Sequence, residues 1–351
     1  MKEEKITYKK AGVDVKRGEK FARWIGQKMA SFHTPEVISR MGASASLYSL
    51  DKSKYQDPVL VATSDGVGTK LKIAQKFRKH TTVGIDLVAM CINDLLTQRA
   101  RPLFFLDCLS TGKLSFKIGQ QIILGIEEGC RRAGCVLMGG ETAEMPSFYG
   151  EEEYDLAGFA VGIVEKRNLI DSSKIRVGDK IVGLPSSGLH SNGFSLVRKV
   201  LFERGRGSLT ELIQNLGRSL EEELLEPTRI YTHHILDVLK DFPIKGIAHI
   251  TGGGMVRNIP RILPLGCRAH LYKGSWVIHP IFTLIQETGD IEEEEMFKVF
   301  NMGIGMILII PAQEANSILK ALTSQGEKVW IVGEIVEGEA GVDLEIERHS
   351  R

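Results

Sequence analysis

Residues 63–70 combine side chains that suit a complex of a metal ion with a phosphate group. Their sequence is Thr-Ser-Asp-Gly-Val-Gly-Thr-Lys. The glycines let the backbone approach a ligand closely, Asp65 can hold a hard cation, and Lys70 can meet an anion. The segment is not a Walker A loop, because it lacks the Gly-Lys-Ser/Thr ending at the required spacing. On its own it fits either a phosphate loop or a plain turn.

Further acids occur at the predicted ends of strands and helices. Asp65 follows the apolar run 58–62, Asp94 lies in a helical stretch, Asp107 ends a short apolar strand, and Glu141 follows two glycines. Mg²⁺ needs few protein carboxylates when phosphate and water oxygens complete its coordination. A single acid is more commonly a surface or capping residue. Asp94 has apolar neighbours, however, and a buried acid needs a partner.

Two glycine-rich segments in the second half of the chain each precede a predicted helix. The first is Ser191-Asn192-Gly193 and the second is Gly252-Gly253-Gly254. Both would expose backbone N–H groups at a helix N-terminus, which is a site for anions. Capping by Ser191 or Thr251 needs the same geometry, so both interpretations stay open. His190 could exchange a proton near neutral pH or hold a structural hydrogen bond.

The pattern of apolar residues predicts the elements that position these side chains. Strands are predicted at 58–63, 102–107, 135–138, 154–164, 180–184 and 246–250, and helices at 86–97 and 117–133, with two more that run to Phe202 and toward Ile262. A polar joint follows at 170–174. The sequence therefore predicts an α+β fold with two domains, residues 1–168 and 169–351.

Composition excludes several classes of protein. The chain has 351 residues, 43% hydrophobic and 25% charged, with a formal net charge of +1, which is typical of a soluble globular protein. No long basic tract indicates nucleic-acid binding, and an apolar run such as 306–310 is far too short to span a membrane. The five cysteines form no C-x-x-C pair, and the N-terminus lacks the apolar core of a signal peptide. We therefore expect a cytoplasmic protein with reduced thiols.

Several ordered motifs resemble one enzyme family, phosphoribosylformylglycinamidine cyclo-ligase, also called aminoimidazole ribonucleotide synthetase. This family belongs to the ATP-dependent amide-activating synthetases. The motifs are residues 63–70, 84–94, 102–107, 139–146, 186–198, 227–231 and 249–254 with 258–261. The similarity runs from about Tyr8 to the C-terminal strands.

The resemblance implies a reaction of purine synthesis. ATP phosphorylates the formyl oxygen of formylglycinamidine ribonucleotide, an amidine nitrogen attacks the activated carbon, and the imidazole ring closes with release of ADP and phosphate. It also implies a homodimer whose N-terminal mixed sheets join into a barrel. ATP would bind in the N-terminal domain near the interface, and the sandwich-like C-terminal domain would close the cleft.

Roles for individual residues follow from this resemblance. Asp65, Asp94 and Glu141 are the expected Mg²⁺ ligands, Lys70 would neutralise phosphate charge on ATP or on the second substrate, and His190 would shuttle a proton. The remaining expected ATP and phosphate contacts are Gly66, Gly68, Thr69, Gly140, Thr142, Ser191, Asn192, Gly252, Gly253 and Gly254.

The chain departs from the family pattern in three places. Residues 39–46 have fewer glycines than the usual loop, Arg99 stands where a glycine is usual, and Met302 replaces a usual cysteine. Arg99 is strained if its position requires a positive φ. For Met302 we expect no loss of activity, because no proposed step needs a thiol.

Other functions stay open at this point. Selenophosphate synthetase would need a reactive Cys or selenocysteine near the N-terminus, yet no Cys precedes Cys91. Thiamine-monophosphate kinase lacks a segment like 190–193. A non-catalytic nucleotide-binding scaffold is opposed by the retention of all candidate metal ligands.

Overall fold

Two separate mixed sheets organise the computed structural model, which describes residues 5–39, 44–204 and 217–346. The chain divides into two units: residues 1–92 with 102–165, and residues 93–101 with 166–351. The short segment 93–101 belongs to the second unit, although it continues a helix that begins in the first. Within the described ranges, no helix is long and apolar enough to cross a membrane.

The elements alternate along the chain. The strands are β1 (Pro58–Gly66), β2 (Arg101–Thr111), β3 (Val136–Glu144), β4 (Tyr154–Glu165), β5 (Lys180–Pro185), β6 (Gly246–His249), β7 (Cys267–Lys273), β8 (Ile304–Ile310), β9 (Trp330–Glu337) and β10 (Val342–Ile346). The helices are α1 (Val15–Met29), α2 (Leu71–Phe77), α3 (Thr81–Leu96), α4 (Phe116–Ala133), α5 (Phe194–Arg198), α6 (Leu220–Leu225), α7 (Thr232–Asp241), α8 (Gly254–Asn258), α9 (Pro280–Gly289), α10 (Glu293–Val299) and α11 (Ala315–Ser324).

In the described first unit, four strands form a mixed sheet in the order β1-β4-β2-β3. β1 and β4 are antiparallel, whereas β2 and β3 are parallel. One face of the sheet packs on α3: a Cβ at Gly158 would lie 2.5 Å from Phe105, 3.0 Å from Cys91 and 3.1 Å from Leu87. The apolar core of this unit therefore lies between the sheet and its helices, with α4 packed closely on α3 through Gly125.

In the described second unit, six strands form a sheet in the order β10-β7-β9-β5-β8-β6. β8 is buried along its whole length, and strands that are buried on both faces read as continuous apolar runs. α7 and α11 pack on this sheet, with Ile235, Val238, Ile318 and Leu322 in one apolar cluster. β5 and β6 are thereby fixed, and both lead directly into the glycine-rich segments.

Most of the predicted elements are present, but three strands run further than predicted. β1 continues through Gly66, β2 through Thr111 and β3 through Glu144, so residues 64–66, 108–111 and 139–144 are also strand. The reason is pairing: β1 stays in register with β4 as far as Gly66, opposite Ala157, and β3 follows β2 to Thr111. Backbone pairing with a neighbour overrides the weak strand propensity of glycine.

The other boundaries agree more closely with the sequence. α4 ends at Gly134 in the left-handed conformation, as predicted for its C-cap. The acidic run 292–295 starts α10, as predicted. The helix that was predicted to run to Phe202 continues instead as a π-helix, Lys199–Arg204. Among the described residues all five cysteines are free, and burial raises the pKa of the Cys130 thiol, which suits a packing role.

Candidate active site

Asp65 lies at the end of β1, where the strand turns toward α2. Its side chain is half-buried and accepts the N–H of Gly66 through Oδ1 at 2.8 Å. Gly68 has φ +69° and is exposed, as is Thr69. Thr63 Oγ1 donates to the carbonyl of Cys91 on α3, which anchors the strand end. The roles assigned to Asp65, Gly66, Gly68 and Thr69 remain predictions.

Lys70 does not occupy the position expected of a phosphate-binding residue. Its ammonium lies 2.9 Å and 2.8 Å from the two carboxylate oxygens of Asp86 on α3, and both side chains are 0% exposed. A fully buried side chain has no surface with which to touch a phosphate group, so this conformation gives no support to the expected contact, which stays a prediction. A buried ammonium needs a carboxylate partner, and nothing in the sequence around Lys70 indicates that Asp86 is that partner.

Glu141 projects from β3 at a large cleft in the first unit. The cleft has a volume of about 1200 Å³ and is lined by α1 and by β2, β3 and β4. Its lining includes Tyr48, Phe104 and Phe159 as well as Glu141 and Thr142. A cleft with aromatic walls and a few polar groups is typical of small-molecule sites. Its volume is sufficient for a nucleotide.

The N-terminal loop with fewer glycines also borders this cleft. Ser44 and Ala45 line it together with Ser39, and Ser46 Oγ donates to the carbonyl of Met138 at 3.1 Å. Residues 40–43 lie outside the described residues. The effect of the departure at 39–46 on nucleotide contacts therefore remains a prediction.

Gly140 makes room for the side chain of a neighbouring acid, and its expected contact with ATP stays a prediction. It lies opposite Asp107 in the β2–β3 register, and a Cβ at Gly140 would lie only 2.3 Å from Asp107 Oδ1. Asp107 is 6% exposed and borders the cleft. Burial, and the nearby charge of Glu141, raise the pKa of Asp107 to about 7. The sequence indicates an acid at the end of this strand but not its role, because nothing local in the sequence reports its burial.

Asp94 and His249 form a polar contact within the second unit. His249 Nδ1 lies 2.8 Å from Asp94 Oδ1. The His249 side chain is 2% exposed, whereas that of Asp94 is 44% exposed. Asp94 is therefore held by a buried partner while much of its carboxylate faces solvent. The sequence indicated that Asp94 needs a partner, but His249 lies 155 positions away.

His190 has a structural role in this conformation. It is buried, with φ +60°. Its Nε2 accepts the backbone N–H of Ser187 at 3.1 Å and, more weakly, that of Arg229 at 3.5 Å. An imidazole nitrogen that accepts backbone N–H groups is occupied, which favours the structural interpretation over the proton shuttle. The shuttle remains an untested prediction.

The two glycine-rich segments of the second unit lie side by side. A Cβ at Gly252 would lie 3.4 Å from Asn192 Oδ1. The N-caps of α5 and α8 are Gly193 and Gly253, and neither has a side-chain capping bond. Capping by Ser191 or Thr251 is therefore wrong, since Ser191 Oγ instead bonds Thr228 Oγ1 at 2.9 Å. Phosphate binding by these segments, with Gly254, stays a prediction.

The donor chemistry of two exposed acids suits Mg²⁺. In the described part of the chain, no three His, Cys, Asp or Glu side chains are grouped to hold a metal ion, and the metal-binding roles of Asp65, Asp94 and Glu141 remain predictions. A nucleotide-bound Mg²⁺ needs only one or two protein carboxylates, however. Asp94 and Glu141 are both accessible for that purpose.

Two of the departures from the family pattern lie at left-handed backbone positions. Arg99 has φ +61° and Met302 has φ +48°, which supports the expectation of strain at Arg99. The Arg99 guanidinium donates to the carbonyl of Leu239, and burial lowers the pKa of Arg99. Met302 is buried, and its carbonyl accepts Trp276 Nε1–H at 2.9 Å.

Comparisons with known proteins match nearly the whole chain. The family model "AIR synthase related protein, N-terminal domain" matches residues 44–164, and the corresponding C-terminal model matches 176–344. Proteins named phosphoribosylformylglycinamidine cyclo-ligase are similar throughout. The protein of Geotalea uraniireducens is 53% identical over 97% of this chain and 98% of its own length. That of Syntrophotalea carbinolica is 54% identical over 97% and 99%.

Solved structures share the fold at low sequence identity. Thiamine-monophosphate kinase from Stenotrophomonas maltophilia has a TM-score of 0.69 at 17% identity, covering 92% of this chain and 95% of that one. The hydrogenase maturation protein HypE in complex with ATP has a TM-score of 0.68 at 15% identity, covering 94% and 91%. At such identities the likeness establishes the two-domain α/β fold and nothing about activity.

Proposed function

The chain belongs to the phosphoribosylformylglycinamidine cyclo-ligase family, and on this premise we propose that it closes the imidazole ring of aminoimidazole ribonucleotide from formylglycinamidine ribonucleotide at the expense of ATP. The chain is thus an enzyme of purine biosynthesis. The observation that carries this proposal is the match to cyclo-ligases at 53% identity over 97% of the chain.

The chemistry requires activation of an amide. The formyl oxygen is a poor leaving group, and its phosphorylation converts it into a good one. The amidine nitrogen then attacks the formyl carbon, the C–O bond to phosphate breaks, and the ring closes with loss of a proton. Phosphoryl transfer depends on positioning and on neutralising charge rather than on a covalent bond to the protein.

We assign ATP to the cleft of the first unit. Its volume of about 1200 Å³ and its aromatic lining support this assignment. Glu141 and Thr142 are accessible to polar groups of the nucleotide there. Gly140 on β3, another expected ATP contact, leaves space for the Asp107 carboxyl group.

Asp94, Glu141 and Asp65 would hold Mg²⁺, which would neutralise the phosphate charge of ATP. The half-exposed Asp94 carboxylate, fixed by His249, gives the strongest support. The partly buried Asp65 already accepts one backbone N–H. Lys70 is left out of the charge-neutralising set, because it is fully buried against Asp86.

The adjacent glycine segments of the second unit would hold a phosphate group of the ribonucleotide. Gly193 and Gly253 are helix N-caps that leave backbone N–H groups without side-chain caps. Such groups bind anions. Asn192 lies next to Gly252, so side-chain and backbone donors converge in this region.

A homodimer is supported by the exposed edge of the first sheet. β1 is an edge strand of the described sheet. Leu60 on β1 is 63% exposed and Phe159 on β4 is 45% exposed, on the face away from α3. Exposed apolar residues beside an unpaired edge are typical of a surface that another chain covers. We propose that this edge joins the equivalent edge of a second subunit, so that the two sheets form a barrel. We also propose that the enzyme works in the cytoplasm.

One assay tests the proposal. Purified protein, MgCl₂, ATP and formylglycinamidine ribonucleotide should give ADP, phosphate and an aromatic amine in equal amounts. Release of ADP without the amine would contradict cyclisation and favour a sibling phosphotransferase. Absence of any nucleotide turnover would favour a non-catalytic scaffold.

A further inference from the structure

We propose that His249 is a positioning residue for Asp94: it holds one carboxylate oxygen and so presents the other to the cation that accompanies the nucleotide. This inference rests on the proposed function of Asp94. It concerns a residue that lies in a matched motif but has no assigned role. Four hydrogen bonds within the second unit carry it.

The first step is the orientation of the Asn93 side-chain amide. The backbone N–H of Tyr231 lies 3.2 Å from Asn93 Oδ1. A backbone N–H can only donate, so this atom of Asn93 must be the oxygen. The amide nitrogen is therefore Nδ2, and it donates to the carbonyl of Arg229 at 2.8 Å.

The second step is the tautomer of His249. The other hydrogen of Asn93 Nδ2 points at His249 Nε2, at 3.4 Å. Because Nδ2 is only a donor, Nε2 must be the accepting nitrogen of a neutral imidazole. The ring proton is then on Nδ1, which donates to Asp94 Oδ1 at 2.8 Å. Fixed backbone groups thus determine which nitrogen of His249 carries the proton.

The third step is the rigidity of this chain of bonds. Tyr231 is 0% exposed, and its hydroxyl donates to the carbonyl of Pro185 at 2.8 Å. The Arg229 guanidinium is paired with Glu327, whose side chain is 2% exposed. The segment 229–231 is therefore anchored on both sides, and the orientation that it imposes on Asn93 is transmitted to His249.

The last step concerns the second carboxylate oxygen of Asp94. Its Oδ1 is bound by a buried imidazole, and in the described ranges no hydrogen bond to Oδ2 occurs, while the side chain is 44% exposed. Ligands of metal ions are commonly oriented by such outer hydrogen bonds, and loss of one lowers metal affinity or activity by about 10–100-fold. His249 thus fixes the direction in which Asp94 offers its second oxygen.

The tautomer can be measured on the unaltered protein. With ¹⁵N-labelled histidine, the ring of His249 should show a protonated Nδ1 and an unprotonated Nε2 at pH 7.5, and the signal should disappear in His249→Asn. A protonated Nε2 would overturn the proposal, because the link from Asn93 to Asp94 would then be broken.

A matched pair of variants tests the consequence. In His249→Asn the amide nitrogen can take the place of Nδ1 and still donate to Asp94, whereas in His249→Gln it takes the place of Nε2 and cannot. Mn²⁺ is titrated by electron paramagnetic resonance into the whole enzyme with a saturating non-hydrolysable ATP analogue. We expect His249→Gln to weaken Mn²⁺ binding by about 10–100-fold and His249→Asn to restore most of the affinity.

Asp94→Asn separates the inference from the function on which it rests. If Asp94→Asn loses Mn²⁺ affinity while His249→Gln binds Mn²⁺ like the unaltered enzyme, the positioning role is overturned and the role of Asp94 stands. If Asp94→Asn also binds Mn²⁺ normally, the metal-binding role of Asp94 itself fails. An equal loss of Mn²⁺ affinity in His249→Asn and His249→Gln would likewise count against positioning, since a general disturbance of the structure would then explain the loss.

Discussion

Each unit of this chain contains a pair of one acidic and one basic side chain, and the two pairs differ in how far they are exposed to solvent. In the first unit Lys70 and Asp86 are both 0% exposed, and the ammonium lies within 2.9 Å of both carboxylate oxygens. In the second unit His249 is buried but Asp94 is 44% exposed, and one carboxylate oxygen carries the contact. The first pair is closed within the protein, whereas the second leaves an acceptor facing outward.

This difference shows that residue type within a matched motif does not decide a role. Lys70 lies in the segment with the clearest phosphate-binding character, yet its charge is neutralised inside the fold. Asp94 sits among apolar neighbours, yet it presents an oxygen to solvent. Availability of a polar atom to a ligand separates the two, and availability depends on distant residues.

The largest expected effect is a loss of activity when Asp94 of the Asp94–His249 pair is changed. Asp94→Asn keeps an oxygen for His249 but removes the negative charge, so turnover should fall by at least about 10²–10³-fold, as for loss of one preorganised electrostatic group. The measurement is the rate of amine formation, with urea unfolding as the control for folding. A variant with normal turnover would remove Asp94 from the site.

The buried Lys70–Asp86 pair should instead contribute to the stability of the fold. Lys70→Met leaves the Asp86 carboxylate buried without the ammonium, and removal of one partner of a buried pair lowers the free energy of unfolding by about 3–5 kcal/mol. Urea denaturation measures this change. In the matched control, Lys70→Met with Asp86→Leu should recover much of the loss. A change below about 1 kcal/mol in the single variant would mean that the pair is not closed in solution.

Asp107 extends the comparison to a buried acid beside the cleft. Because its pKa is about 7 in the folded protein against 3.8 ordinarily, the folded protein holds a proton between these values that the unfolded chain has released. The free energy of unfolding should therefore fall as pH rises through this window, by at most a few kcal/mol, and then level off. Asp107→Asn should flatten this part of the pH profile. An unchanged slope would contradict the raised pKa.

The smallest expected effect concerns backbone strain at Arg99. Its φ of +61° disfavours any residue with a Cβ by about 1 kcal/mol, and its guanidinium bonds the Leu239 carbonyl. Arg99→Ala loses the bond and keeps the strain, whereas Arg99→Gly loses both. Thermal and urea unfolding should show Arg99→Gly more stable than Arg99→Ala by about 1 kcal/mol. The reverse order would show that the left-handed conformation carries no strain.

The sequence predicted well those features that depend on neighbours along the chain. The α4 helix and its Gly134 cap, the start of α10 and the β4 strand all follow from local periodicity and capping. The sequence did not predict the features that depend on a partner strand or on a distant side chain. The extension of β3 depends on pairing with β2, and the burial of Lys70 depends on Asp86.

The site was predictable in part for the same reason. The glycine segments at 191–193 and 252–254 were recognisable as helix starts, and the structure brings them together. His249 lies within a matched motif that gives it no role, because only its contact with Asp94 identifies it. The raised pKa of Asp107 could not be foreseen, since it follows from burial and from the position of Glu141.

The most direct test of this contrast is the turnover of Lys70→Met per folded molecule, at a temperature where urea curves show it fully folded. If Lys70 only closes the buried pair with Asp86, its turnover should stay within about threefold of the unaltered enzyme, while Asp94→Asn, assayed in parallel, loses about 10²-fold or more. A folded Lys70→Met enzyme as impaired as Asp94→Asn would contradict the account and return Lys70 to the active site.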